Sequence, residues 1–406
     1  MSLGCACVYW KQLPIFGGCF FDFPADFGNP WKKYRKKVFK MKKWMAFLLA
    51  CAMLLSMTAC ASNGSQAQQT ATTQAAAETT APETTAETTA ETTAKTAAES
   101  TTVTVVDSTG REVEVPRDVK RVVAGWGIKN YIFMNIDDLI VNEVTDKFCL
   151  MLNPDLKNGG TIKSDGKTNV EAIAALEPDL VIMKWNSDLI DTLQGMGIPT
   201  LGLRIEDEND MKHAIEMFGK AFNREDRAQE ILDYYDTLAK KAEDLVKDIP
   251  ENEKKTAIFL GQYVGSTAPD TTLQGMAIEQ AGGINPAADF GRGELWAQGG
   301  MERVMQWDPD FIFMANDLTS RDYTLESTIS DPANAALKAV QDGHVYESPC
   351  SLDLWMYPTL SIRLGVLWMI NRMYPERLSD DELAQTAQEF YKTIYGLDVT
   401  REQLGF

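Results

Sequence analysis

The hydrophobic and polar positions divide the chain into stretches of different period. Val103-Thr-Val-Val106 and Glu112-Val-Glu-Val115 alternate on either side of Asp107-Ser-Thr-Gly110, the pattern of a two-stranded hairpin closed by a turn. Arg121-Val-Val-Ala124 reads as a short buried strand running into Gly125-Trp126-Gly127. Two further segments repeat each other. Val170-Glu-Ala-Ile-Ala-Ala-Leu-Glu-Pro178-Asp179-Leu-Val-Ile-Met183 and Met301-Glu-Arg-Val-Met-Gln-Trp-Asp-Pro309-Asp310-Phe-Ile-Phe-Met314 align without a gap. Each is an amphipathic helix, a Pro-Asp turn and a wholly apolar strand, half of a parallel-sheet unit. Glu171 and Glu302 fall in the first helical turns, where the backbone dipole favours a carboxylate.

Between the copies, Ala228, Ile231, Leu232, Tyr235, Leu238, Ala242, Leu245 and Ile249 recur at three- and four-residue steps and form one apolar stripe. Asn223 with Asp226 reads as a capping box and Pro250 as the stop. The spacing predicts one long helix within 219–250, roughly 40 Å at 1.5 Å per residue, able to join two lobes. The stripe lacks sustained heptads, so it is a packing face and not a zipper. The pattern therefore predicts an α/β protein: two similar lobes with parallel-sheet cores, 103–218 and 251–406, joined by that helix.

The N-terminal hundred residues have another character. Met41-Lys42-Lys43-Trp44 is followed by a short apolar run to Leu55 and by Ser56-Met57-Thr58-Ala59-Cys60. The run is too short to span a bilayer and fits a secretory signal. Its end resembles the lipobox of bacterial lipoproteins, which implies a signal peptide over 41–59 and a lipid on Cys60. Residues 1–40 show no helical or strand period and read as an upstream extension of the reading frame. From Cys60 to about residue 102 the chain is dominated by Thr, Ala and Glu, repeating Glu-Thr-Thr-Ala, without aromatic residues. It cannot offset its ordering entropy by burial and reads as a disordered tether reaching roughly 35 Å.

Charge and chemistry narrow the function. The net charge of −19 includes a basic segment, residues 1–59, so the body is more acidic still. Such a surface repels phosphate backbones and argues against nucleic-acid binding. Beyond Cys60 the only cysteines are Cys149 and Cys350, one bridge or two free thiols, and no disulfide framework. His213 and His344 are the only histidines, too few for a His-rich metal site, although carboxylates alone can hold a hard cation. No Gly-x-Ser-x-Gly elbow, His-Glu-x-x-His or glycine-rich phosphate loop occurs, so the chain does not read as an enzyme and no resident cofactor is expected.

The order of short motifs carries a resemblance. Asp107-Ser-Thr-Gly-Arg-Glu-Val-Glu-Val-Pro116, Lys120-Arg-Val-Val123 and Glu171 through Pro178-Asp-Leu-Val-Ile182 are followed by Ala281-Gly-Gly-Ile-Asn285, Leu337-Lys-Ala-Val-Gln-Asp-Gly-His-Val-Tyr346 and Tyr374-Pro-Glu376. From about residue 103 to 406 the chain resembles the helical-backbone (class III) solute-binding proteins of ABC importers for ferric siderophores, haem and cobalamin. That resemblance implies a monomeric extracytoplasmic receptor, held to the membrane by its lipid, that carries a metal chelate in a cleft between the lobes. Its partners would be an ABC permease and its ATPase, with an iron-siderophore complex as the leading ligand and cobalamin or another corrinoid, haem or a tetrahedral oxyanion as alternatives.

In parallel sheets the cleft lies at the carboxyl ends of the strands. The expected wall on one side is Trp126, Lys184, Trp185, Asn186 and Arg204. On the other it is Tyr263, Arg292, Trp296, Asn316, Trp355 and Tyr357. Trp296 stands six residues before Glu302, where similar cobalamin binders carry a cleft tryptophan. The aromatics suit flat or greasy chelates; the cations suit an anionic one. Family members also carry a permease-docking glutamate on the helix after the first strand of each lobe. Here the first such helix, Lys129 to Asp138, has none, and in the second Met276 stands in its place with Glu279 nearly one turn on.

Overall fold

Along each strand of the sheets, alternate residues enter different cores. The computed structural model describes residues 100–314, 323–349 and 352–406. The signal peptide, Cys60, nearly all of the proposed tether, Asn316 and Cys350 lie outside them.

The chain opens with the hairpin β1 (Thr102–Val106) and β2 (Glu112–Pro116), in which Val103 pairs with Val115 and Val105 with Val113. Val105, Val113 and Val115 are buried, while Glu114 on the outer face accepts hydrogen bonds from Thr102 and Thr104. The first sheet holds β3 (Val122–Ala124), β6 (Leu180–Lys184) and β7 (Thr200–Leu203) in that order, all parallel. Between β3 and β6 the two-residue strands β4 (Lys163–Ser164) and β5 (Lys167–Thr168) form a separate hairpin. The second sheet has the order β10 (Ala297–Gln298), β9 (Ser266–Thr267), β8 (Ala257–Leu260), β11 (Phe311–Met314), β12 (Val345–Glu347). Its β8, β11 and β12 are parallel, so each sheet contains the same run of first, second and third strand.

The repeated segments fold alike. Helix α1 (Val170–Ala174) leads into β6, and helix α2 (Gly300–Trp307) leads into β11. The Asp of each Pro-Asp turn has the same task. Asp179 accepts the backbone N–H groups of Lys120 and Arg121 just ahead of β3. Asp310 accepts the N–H and hydroxyl of Thr256 just ahead of β8. In both sheets a carboxylate thus registers the start of its own strand against the neighbour.

The joining helix, α3, runs Glu225–Val246, about 33 Å long. It stops short of the apolar stripe at its C-terminal end, Val246 against Ile249, and begins just after the position expected from an Asn223 cap. Asn223 takes a left-handed conformation (φ 53°) as the turn out of the preceding helix, Arg224 caps without a side-chain hydrogen bond, and the expected capping box is not formed. The segment Lys129–Asp138, expected as one helix, is instead three 3-10 turns, Ile128–Asn130, Ile132–Met134 and Asp137–Leu139. Asn135, at φ 56°, breaks the helical path between them.

One core spans both sheets. Leu180 and Ile182 of β6, Ala257 and Phe259 of β8, and Phe311 and Phe313 of β11 enter it together with Ile231, Tyr235 and Leu238 of α3. Helices α4 (Ile362–Met373) and α5 (Asp380–Tyr395) complete it with Trp368, Phe390 and Tyr391. The alternate residues face outlying cores: Val181 and Met183 pack with Ile190 and Leu193, and Ile258, Leu260, Ile312 and Met314 pack with Val304 and Leu337. Arg227 of α3 donates to the carbonyls of Phe133, Thr393 and Ile394, stapling the 3-10 turns to the last long helix.

Candidate functional site

The carboxyl ends of β3, β6 and β7 lie side by side, which brings Trp126, Lys184-Trp185-Asn186 and Arg204 to one edge of the first sheet. Trp126 is held through its backbone, its N–H donating to Ile182 and its carbonyl accepting the Tyr131 hydroxyl. Gly127, at φ 66°, lets the chain turn there against Leu203. The Trp126 ring, half-buried, closes the edge of the shared core. A turn from Lys184 to Ser187 leaves Lys184, Trp185 and Asn186 exposed.

At the corresponding end of the second sheet, Gly261 follows β8 and a tight turn from Tyr263 to Ser266 enters β9. Tyr263 is 46% exposed. Trp296, at the start of β10, lies over this turn. Its ring is offset-stacked on Phe259 with centroids 6.2 Å apart and planes within 17°. It also fills the place where Gly261 would carry a side chain: a Cβ there would stand 2.3 Å from Trp296 Cε3. Phe259 of β8 and Gly261 just beyond it, two residues apart, therefore make a flat seat for the indole, which stays half-buried.

Two charged bridges tie the strand-end loops of one sheet to the other lobe. Lys129, three residues past Trp126, donates to Asp353 Oδ1 at 2.8 Å and lies 3.3 Å from Asp146 Oδ2. Burial works to depress the Lys129 ammonium; the two carboxylates outweigh it and hold its pKa above the ordinary value. The Asp353 side chain is fully buried, and its Oδ2 has no hydrogen-bond partner among the described residues. The second bridge joins Glu208, at the start of the helix after β7, to Arg363 of α4, which also binds Gln280 and lies 4.1 Å over the Tyr235 ring. Both bridges sit at the carboxyl ends of the first sheet's strands, so these ends face the second lobe.

The expected site residues fare differently. Trp126, Trp185, Tyr263, Trp296 and Tyr357 all keep exposed surface at strand ends or in the loops that follow. Trp355 is corrected: it is 1% exposed, and its indole N–H donates to Tyr391 at 2.9 Å, so it anchors its loop and has no surface for a ligand. Arg204 and Arg292 are already engaged. Arg204 binds Asp210 at 2.8 Å with Glu206 nearby, and Arg292 binds Asp270 and Asp289, interactions that raise the pKa of both guanidiniums. Lys129, Asp353, Phe259 and Gly261 were not legible as site residues. Proximity to Trp126 in sequence is the only signal for Lys129, and nothing in the sequence joins it to Asp353. A shallow cavity of about 450 Å³ on α3, lined by Thr237, Lys240, Lys241, Asp244 and Leu245, contains none of the strand-end residues.

Comparison with known proteins agrees with this architecture. The family model described as periplasmic binding protein matches residues 143–351. The molybdate-binding protein MolA of Haemophilus influenzae is 23% identical over 322 residues, 72% of this chain and 90% of that protein. Its molybdate-bound structure superposes with a TM-score of 0.63 at 20% identity, covering 73% of this chain and 99% of that one. A periplasmic solute-binding protein from Veillonella parvula superposes with a TM-score of 0.63 at 22% identity, covering 75% and 96%. A cobalamin-binding protein of Halobacterium salinarum is 28% identical over 177 residues, 42% of this chain and 47% of that protein. With two like lobes joined by one helix and a family match across more than half of its length, the chain belongs to the periplasmic binding proteins, the solute-binding components of ABC importers, and is not an enzyme.

Proposed function

We propose that the protein captures a bulky metal chelate of the siderophore type between the two sets of strand ends and delivers it to an ABC permease. The observation that carries this reading is the chemistry of the exposed strand-end side chains. Trp126, Trp185, Tyr263, Trp296 and Tyr357 offer aromatic surface from both lobes, while Arg204 and Arg292 are each occupied by carboxylates. Aromatic side chains gain from large, partly apolar ligands. A small oxyanion instead needs several converging donors and positive charge that are not already paired. Of the strand-end cations named, Lys184 alone has no carboxylate partner among the described residues, and one exposed lysine is a weak basis for molybdate binding despite the likeness to MolA. A corrinoid shares the size and greasiness of such a chelate, and the relationship to a cobalamin-binding protein supports it as the second reading.

Native mass spectrometry of protein purified from its own host, followed by tryptophan-quenching titrations with ferrichrome, cyanocobalamin, haemin and molybdate, tests the proposal. A ferric chelate should quench and bind most tightly. Tight binding of molybdate with no response to any chelate overturns the reading.

We also propose that the protein works as a monomer anchored on the extracytoplasmic face through a lipid on Cys60. Among the described residues no helix is long and apolar enough to cross a membrane. Cys60→Ser should abolish palmitate labelling and release the protein; labelling that survives the change refutes the anchor.

A further inference from the structure

The Lys129–Asp353 bridge has an unusual position for a structural ion pair. Lys129 belongs to the first turn after β3, three residues beyond Trp126, and Asp353 precedes Tyr357 by four residues. Each flank is fixed to its own lobe. On one side Trp126 is hydrogen-bonded through Ile182 and Tyr131. On the other, the loop from Asp353 to Tyr357 is pinned by Trp355 to Tyr391 and by the Met356 carbonyl, which accepts the Gln274 amide at 2.9 Å. The Leu354 N–H donates to the same Asp353 oxygen that takes Lys129. A fully buried carboxylate with one oxygen lacking a hydrogen-bond partner among the described residues is a poor device for stability, because desolvating the pair cancels much of its attraction. It is a good device for holding two surfaces at one separation, since only one geometry satisfies it.

We propose that the Lys129–Asp353 pair is a strut between the lobes that sets the distance between the Trp126 and Tyr357 walls, and so makes these two residues determinants of ligand size. This inference rests on the strand-end site described above, and it adds residues that touch no ligand. Both are positioning residues that act through the aromatic walls beside them. Asp146, the second carboxylate on Lys129, belongs to the first lobe and holds the ammonium from its own side at 3.3 Å.

The test uses the full chain with Lys129→Met and Asp353→Asn together, which removes both charges of the buried pair; Asp146 loses its cation but is partly exposed and keeps the Cys149 N–H. Hydrogen–deuterium exchange of the ligand-free protein is followed by mass spectrometry. Amides of 125–130 and 354–357 should exchange about tenfold faster or more, while those of the β1–β2 hairpin keep their native rates. The ratio of affinities for ferrichrome and cyanocobalamin should change by about tenfold, because the wall spacing is no longer imposed. If this variant does not fold, Lys129→Met with Asp353→Leu replaces it and is read in the same way. Native exchange in both loops overturns the strut. Absence of binding by the unaltered protein to every compound overturns the proposed ligand class instead, and the exchange measurement still decides the strut.

Discussion

Gly261→Ala probes the Trp296 wall without touching Trp296 itself. The added methyl would meet the indole at 2.3 Å from Cε3 and 2.5 Å from Cδ2, with Ser266 Oγ at 2.8 Å. Carbon atoms in contact prefer about 3.5–4.0 Å, so the ring must retreat by more than about 1 Å. Overpacking of this kind costs about 1–3 kcal/mol in a closed core. Trp296 is half-buried and free to swing toward solvent, which places the stability loss near the lower figure, about 1 kcal/mol. The swing also breaks the offset stack on Phe259. If the exposed side of the indole is where the ligand lies, affinity falls by about 1–3 kcal/mol, roughly 5- to 150-fold. Urea unfolding gives the first quantity, tryptophan quenching by the bound chelate the second, and near-ultraviolet circular dichroism reports whether the ring has moved. A changed dichroic band with native affinity would refute the assignment of Trp296 to the ligand wall. Trp296→Ala then separates the roles in the same way: the wall reading expects the larger loss in affinity and the packing reading expects it in stability.

Arg363→Met should lower unfolding stability in urea by about 2 kcal/mol, because it strips the buried side of the Glu208 bridge and the stack on Tyr235, while Glu208 keeps partial solvent. Asp107 should make the protein acid-sensitive. Burial works to raise its pKa, but hydrogen bonds from Thr109, Gly202 and Arg111 outweigh that and hold it below the ordinary value. Its stabilising contribution is therefore complete above about pH 4, the unfolded value, and fades as pH falls through the lower folded value. The stability gap between the native protein and Asp107→Asn, measured by urea unfolding across pH 3–6 (about the carboxylate range), should be constant at the upper end and close at the lower. Burial, with Asp146 beside it, pushes the Cys149 thiol far up. In a Cys350→Ser background, iodoacetamide at about pH 8 should modify Cys149 only after urea unfolding; rapid labelling of the folded protein would show that the site opens.

The elements that were legible are those in which one local pattern decides the outcome. The hairpin follows from alternating Val and Glu around a turn whose Asp caps itself, and the repeated helix–strand units follow from identical Pro-Asp turns. The errors arise where two signals separate. Apolar spacing around α3 continues to Ile249, which is buried, although helical hydrogen bonding ends at Val246. Periodicity records which side of the chain meets the core, and it does not record where the backbone leaves the helix. Likewise, the polar and apolar order of Lys129–Asp138 suits a helix, but the left-handed Asn135 divides it into 3-10 turns.

The site was legible to the same depth and no further. The rule that ligands sit beyond the carboxyl ends of parallel strands places the candidates Trp126, Trp185 and Tyr263 by counting from each strand, because a few residues past a strand the direction of the chain is still set by the sheet. In the loop from Asp353 to Tyr357 that control is gone. There Trp355 and Met356 both enter the core, Trp355 against Tyr391, while Tyr357 remains 43% exposed. A sequence shows two aromatics there and cannot assign their directions. The same loop holds Asp353, whose partner lies more than two hundred residues away in the other lobe. Contacts of that kind depend on how the lobes close around a shared core, a property of the whole fold. The residues proposed to fix the width of the cleft are thus the least visible in the sequence, whereas those proposed to line it can be counted from the strands.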